Sequence, residues 1–475
     1  MIKFENSWYQ EFSADFYQEI NPQVFPNPEL IYFNQNLAKD LNINFTKNSL
    51  NQISDIFSGK KIHQTSKPIA LAYAGHQFGN FVPQLGDGRA VLLGEIKVNN
   101  QYFDIQLKGS GKTKFSRGGD GLATLESALR ELIIGEALHY LGIPATRILT
   151  ICLTNLPVFR QQILHGAVMS RVADSYLRVG SFEYFACRGD NLSLKKLCNY
   201  AIKRHFAEAL DSSNPILSFY KNVVNRQAQL VAKWQAIGFI HGVMNTDNVS
   251  IGGQSIDFGP CAFLDEYDKN KVFSAIDLNS RYAFGSQPKI AKWNLWILLN
   301  CLAQITDKHN DLLSIHQSFD NEFEKNYYQI MARKLGFKTE IPRQLINNFL
   351  EILQKNSCDY SQSLRNLSAN LIDNSEILID TDEYRAWFKN WKNHLHQENT
   401  QTSEIIALMK SSNPVLIARN HRVQEVIEAG NNLDFAPLQK LLKALSKPFE
   451  DSSLNQDFAS PPSQNQKVRQ TFCGT

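Results

Sequence analysis

Two carboxylates and a carboxamide stand close together between His241 and Gly259: Asp247, Asn248 and Asp257. All three are hard oxygen donors. Such donors suit Mg2+ or Mn2+, which take few protein groups and complete their shells with water and phosphate oxygens. Cationic residues that could hold phosphate recur upstream, at Arg89, Lys108, Arg171 and Arg178. Arginines near a nucleotide fork onto phosphate oxygens. Taken alone, Arg171 and Arg178 read as ordinary surface charge.

The order of the acidic group matches the metal-binding part of a protein kinase, in which a catalytic-loop Asn precedes an Asp-Phe-Gly. Here Asn248 precedes Asp257-Phe258-Gly259. A kinase places its base Asp two residues after the loop His, and that position is Val243. An Asp instead directly precedes the Asn, at Asp247. The stretch therefore reads as a kinase metal site without the usual phosphotransfer base. Gly86-Asp87-Gly88-Arg89 is a glycine turn whose N–H groups could approach phosphate, although a short glycine pattern alone reads as a plain tight turn. Gly111-Lys112-Thr113 imitates a P-loop, but the required earlier glycine is Gln106, and Gly118, Gly119 and Gly121 prevent a following helix. What remains is a basic, glycine-rich loop that could contact an anion.

These residues need elements to hold them. Ala90–Val98 is an apolar run, Asn99-Asn100 a hairpin turn, and Tyr102–Leu107 alternates, so two strands end at Lys108. Leu125, Leu129, Leu132, Ile133 and Ala137 predict a helix over Thr124–Tyr140, capped by Thr124 and ended by Gly142 and Pro144. Glu131 lies off that apolar stripe. It reads either as a solvated surface charge or as the helix partner of a strand Lys, as in kinases. Short strands are expected at Ile148–Leu153 and Ala167–Arg171, and helices over 193–239, over Ala291–Leu302 and through most of 310–445. Residues 1–66 are expected to lie over the surface with one helix near Ile31–Leu41. Residues 449–475 are rich in Ser, Pro and Gln and read as a flexible tail.

Composition narrows the field. The 475 residues are 43% hydrophobic and carry a net charge of +3, which supports sizeable cores and argues against general nucleic-acid binding. Seven cysteines are scattered without a CxxC pair, which disfavours zinc and fits a reducing compartment. Cys473, in a polar tail, reads as an exposed thiol. No leader pattern or 18-residue apolar run is present, so a cytoplasmic protein without a membrane partner is expected.

Longer motifs carry a resemblance over nearly the whole chain: Tyr73-Ala-Gly-His-Gln-Phe-Gly79, Pro83-Gln-Leu-Gly-Asp-Gly-Arg89, Gln106-Leu-Lys-Gly-Ser-Gly111, Ser116-Arg117 with Gly119-Asp-Gly121, Arg130-Glu131, Leu141–Pro144, His241–Asn248, Asp257–Pro260, Arg281-Tyr282, and Asn413-Pro414 through His421. They resemble the selenoprotein O family of protein adenylyltransferases, kinase-like proteins once considered inactive. The resemblance implies an α+β, bilobal, kinase-like (pseudokinase) fold. Its parts would be an N-terminal extension (1–66), a β-rich lobe (67–185), a helical lobe (186–448) and a tail (449–475). It implies transfer of AMP from an inverted ATP to Ser, Thr or Tyr hydroxyls of proteins. Transfer of UMP from UTP with Mn2+, ordinary phosphotransfer and a silent ATP-binding scaffold are the alternatives. By motif, Gly86, Gly88, Arg89, Lys108, Asp120, Gly121, Arg171 and Arg178 would contact nucleotide, with Glu131 paired to Lys108. Asn248 and Asp257 would bind Mg2+ or Mn2+, and Asp247 would be the proton acceptor. A monomer acting on protein substrates is expected. Family members often carry Cys or selenocysteine third from the C-terminus, as Cys473 is, and in relatives that residue can form a disulfide with a Cys downstream of Asp-Phe-Gly. Here Ser274 stands at that second position, a departure that bears on Cys473 as a redox residue.

Overall fold

The computed structural model describes residues 2–46, 49–339, 341–371 and 379–472. Cys473 lies outside them. The fold is mixed α/β. Seven strands follow one antiparallel path, in spatial order Tyr17–Glu19, Ile69–Leu71, Ala90–Val98, Gln101–Lys108, Ile163–Ala173, Arg147–Phe159 and Glu29–Phe33; an eighth, Ala123–Thr124, pairs with Ile163–Ala173. Beyond residue 178 the described residues are mainly helical, with a short strand pair, Phe239–Ile240 and Ala262–Phe263.

The central hairpin forms where alternation predicts it. Asn99 and Asn100 both take positive φ, 48° and 64°, which turns the chain with the twist of the strands. Register then sets the face. Arg171 stands opposite Gln106, and Met169 opposite Lys108. Side chains two apart share a face, so Gln106, Lys108 and Arg171 project together.

The Leu125–Tyr140 helix crosses this sheet. Thr124 caps it by accepting the Ser127 N–H at 3.2 Å, a contact that contributes about 1 kcal/mol. Its apolar stripe is buried in the largest core, together with the helices Pro215–Ile237 and Asn420–Asn431. Glu131 and Glu136 are buried as well, so the solvated reading of Glu131 does not hold. Arg147 meets Glu136 with two bonds of 2.8 Å.

Three regions differ from expectation. Residues 1–66 do more than cover the surface. Tyr17–Glu19 and Glu29–Phe33 form both ends of the strand path, and Phe25, Ile53 and Phe57 pack under its outer face. Strands of three and five residues are too short to give a readable alternation. The two strands after the helix are longer than expected because their outer halves are exposed and carry no pattern. The segment after 449 holds a helix, Ser453–Ala459, and is anchored beyond it. The Thr471 N–H donates to Phe273 O at 2.7 Å, and the Thr471 hydroxyl to Pro260 O at 2.6 Å.

Candidate functional site

The His241–Gly259 stretch is pinned at its base. Gly238, with φ 76°, ends the preceding helix and feeds Phe239–Ile240, whose partner strand Ala262–Phe263 closes the loop. His241 is buried inside it. Its backbone N–H donates to Gln287 Oε1 at 2.9 Å, and its ring Nε2 lies 2.8 Å from Ile256 O. Leu177 and Val179, on either side of Arg178, bond to Ile251 and Val249 across 3.0 Å each, which draws Arg178 along this loop.

Twelve sequence candidates line one cavity of about 1150 Å³ between sheet and helices: Gly86, Gly88, Arg89, Lys108, Asp120, Gly121, Glu131, Arg171, Arg178, Asp247, Asn248 and Asp257. At its centre the Lys108 ammonium pairs with Glu131 and donates to Asp257 Oδ1 at 3.1 Å. Arg171 Nη1 donates to the same Oδ1 at 2.6 Å and lies 3.6 Å from Glu131 Oε2. Arg178 donates to the Asp247 carbonyl at 2.9 Å and stacks 4.3 Å from the Tyr73 ring centre. Burial alone would raise the Asp257 pKa, but Arg171, Lys108 and Arg178 hold it well below the usual carboxylate range. Asp257 also has φ 61°, a strained geometry for a residue with a Cβ.

Asp247 is in a different state. It is 8% exposed, and burial lifts its pKa to about 6 against the opposing pull of Arg178. The two neighbouring carboxylates thus sit in different electrostatic settings: cations favour the ionised form of Asp257, whereas burial makes Asp247 easier to protonate.

The donors fit a hard cation held mainly by substrate. Asp257 Oδ1 is taken by Lys108 and Arg171, whereas Oδ2 has only Arg178 at 3.8 Å. Asn248 Nδ2 donates to Val243 O at 3.1 Å, which leaves its amide oxygen for a cation. Among the described residues no group of three or more His, Cys, Asp or Glu could hold a metal alone. A hard cation such as Mg2+ or Mn2+, which takes few protein groups, would fit this small donor set. Among the described residues, buried Arg171 Nε, Arg178 Nη2 and Glu131 Oε2 find no hydrogen-bond partner. Anionic oxygens would satisfy the two guanidinium donors.

The glycines have a local cause. A Cβ on Gly86, which has φ 83°, would fall 2.3 Å from the Phe115 ring, and one on Gly88 would fall 2.9 Å from Phe115 O. The 113–116 turn folds back onto this strand entrance, with Thr113 Oγ1 donating to Asp87 O at 2.7 Å. Asp120 faces Arg160, which donates to it at 2.7 and 3.2 Å and lowers its pKa.

Sequence reasoning missed several members. Asp87 is buried and accepts from Gln106 Nε2 at 2.9 Å, and Gln106 in turn accepts from Arg171. Arg160 sits on the turn of a hairpin whose strands are unpatterned there. Gln77 belongs to one of the motifs behind the resemblance, but nothing in its type or spacing assigned it a role.

The model of the family described as protein adenylyltransferase SelO matches residues 1–446. The chain belongs to the SelO family. Relatives named protein nucleotidyltransferase YdiU match it along its full length. The protein of Maridesulfovibrio salexigens is 43% identical over 487 residues, covering 100% of this chain and 99% of the relative. That of Agrobacterium fabrum is 43% identical over 488 residues and covers 100% of both. That of Bacillus mycoides is 42% identical over 487 residues, covering 100% and 99%. The SelO family is thus one whose model and relatives carry the names of nucleotide-transferring enzymes. Among the described residues no helix is long and apolar enough to cross a membrane.

Proposed function

We propose that this chain is a protein nucleotidyltransferase that moves AMP from ATP to Ser, Thr or Tyr hydroxyls of proteins, with pyrophosphate leaving. The observation that carries the reading is the pairing of a triple-cation cluster around Asp257 with a separate, basic Asp247 in one cavity. Group transfer at the α-phosphorus requires positive charge on the β- and γ-phosphates, where negative charge accumulates as they depart. Lys108, Arg171 and Arg178, with Arg89 at the cavity wall, are the groups to grip them. Asn248 and Asp257 would hold Mg2+ or Mn2+, which supplies charge neutralisation on the phosphates when bound. The acceptor oxygen attacks the α-phosphorus, the bond to the bridging oxygen of the β-phosphate breaks, and the hydroxyl proton passes to Asp247. Val243, apolar and at the cavity wall, offers no base in the kinase position, which disfavours γ-phosphoryl transfer.

In this reading the fold is a kinase-like, two-lobed one, with residues 67–185 as the β-rich lobe and 186–448 as the helical lobe. The antiparallel sheet, the Lys108–Glu131 pair and the Asp257-Phe258-Gly259 loop support it. Parallel incubations with α-³²P-ATP and γ-³²P-ATP test the reaction. Protein should take label from the α-position alone, and label from the γ-position alone would overturn it. Unlabelled UTP competing better than ATP, with Mn2+ present, would redirect the reading to UMP transfer.

A further inference from the structure

We propose that the small hairpin Gly75–Gln77/Asn80–Val82 is a positioning element for Asp247, with the Gln77 carboxamide aiming the carboxylate at an acceptor hydroxyl. The inference rests on the reaction proposed above. The hairpin stands apart from the large sheet, and among the described residues its strands pair with each other alone, Gly75 with Val82, His76 with Phe81 and Gln77 with Asn80. Its inner strand is fastened instead to the loop that carries Asp247. The His76 N–H donates to Thr246 Oγ1 at 2.7 Å and the Phe78 N–H to Asn245 Oδ1 at 2.9 Å. The Tyr282 hydroxyl donates to that same Asn245 oxygen at 2.6 Å.

A third element completes the mount. The Ala74 N–H donates to Gly180 O at 3.0 Å, and the His76 ring bonds to the buried Glu183 carboxylate at 2.5 Å; Gly180 and Glu183 both lie on the Val179–Ala186 helix. A Cβ on Gly180 would stand 2.2 Å from Ala74 O, so the approach of hairpin and helix needs glycine there. Hairpin, helix and the 245–247 turn are thereby tied to one another by hydrogen bonds, and a reacting carboxylate depends on such positioning.

Asp247 is seated inside this mount. A Cβ on Gly75 would lie 2.8 Å from Asp247 Oδ1, so a glycine lets the carboxylate slide under the hairpin. There Oδ1 is buried and finds no hydrogen-bond partner among the described residues. Oδ2 accepts from Gln77 Nε2 at 3.5 Å, and Gln77 and Asp247 both face the cavity. Oδ2 is therefore the oxygen presented to substrate, and Gln77 sets its direction. A long contact of this kind is common in a free enzyme and tightens in the reacting complex. A carboxamide can orient a carboxylate without carrying a charge to pair with it.

Gln77→Met keeps the length of the side chain and removes the donor, whereas Gln77→Ala removes both. We expect each to lower kcat for α-label transfer about tenfold or more, Met as severely as Ala. Nucleotide KM, and nucleotide Kd by calorimetry, should stay within about twofold, because no phosphate-binding group is touched. Wild-type kcat in Gln77→Met, with transfer intact in the wild type, would overturn the positioning role alone. A nucleotide Kd that weakens in step with kcat would also overturn it, since the residue would then serve folding or nucleotide binding. No α-label transfer by the wild type would overturn the proposed reaction, and the positioning role with it.

Discussion

Lys108 bridges two carboxylates of the site, Glu131 and Asp257. It answers Glu131, which is 3% exposed and otherwise has only Arg171 at 3.6 Å, and it shares Asp257. Removing one partner of a buried pair leaves an uncompensated charge. We therefore expect Lys108→Met to cost about 3 kcal/mol in denaturant unfolding, and Lys108→Met/Glu131→Leu to recover most of that while remaining inactive. Asp247→Asn should separate chemistry from binding, with kcat for α-label transfer down about 10²–10⁴-fold and nucleotide Kd unchanged. The convergence of Lys108, Glu131, Arg171, Arg178, Asp247, Asn248 and Asp257 on one cavity follows the order read from the chain. Spacing alone could not show that Asp87 and Arg160 also line it, or that Gln106 links Asp87 to Arg171. Their placement depends on strand register and on a turn folding back, which only the assembled sheet determines.

At the scale of elements, glycine and lysine give the sharpest contrasts. Gly86 enters the Ala90–Val98 strand under the Phe115 ring at positive φ, whereas Gly118 has nothing within 4 Å. Gly86→Ala should destabilise by about 2 kcal/mol or more, and Gly118→Ala should stay within about 0.5 kcal/mol, both by thermal or denaturant unfolding. Lys334 ends the Phe319–Lys334 helix and is buried, its ammonium donating to Asn413 Oδ1 at 3.2 Å. Burial lowers its pKa from 10.5 to about 7. The unfolded chain then binds the extra proton between those values, so stability rises with pH across that window and the penalty is full below it. Lys334→Met should stabilise by about 1–4 kcal/mol near neutral pH, with the gain shrinking as pH approaches 10.5. The Leu125–Tyr140 helix and the central hairpin were legible because each is long and strongly periodic. The edge strands in residues 1–66 were not, because they are short and the Asn-Pro and Phe-Pro steps between them mask any pattern.

Across the whole molecule, the two ends of the chain meet the site's supporting structure. The N-terminal segment supplies both end strands of the sheet, and Val468–Phe472 forms part of the cavity wall. Thr471 ties that segment to Pro260, directly after Asp257-Phe258-Gly259, and to the strand-like run at Phe273 to Ala275. A Ser/Pro/Gln-rich composition concealed this, since the anchoring uses backbone groups and one hydroxyl rather than an apolar stripe. Truncation after Lys467 should release bound nucleotide severalfold faster in stopped-flow displacement. An unchanged rate would mean that the segment borders the cavity without retaining its contents. The central claim concerns the group transferred, and intact-mass spectrometry of the modified proteins tests it most directly. Lysate proteins incubated with the enzyme, ATP and Mg2+ or Mn2+ should gain the mass of one AMP moiety with the wild type and none with Asp257→Ala. A gain equal to phosphate alone, or an equal AMP gain with Asp257→Ala, would contradict it.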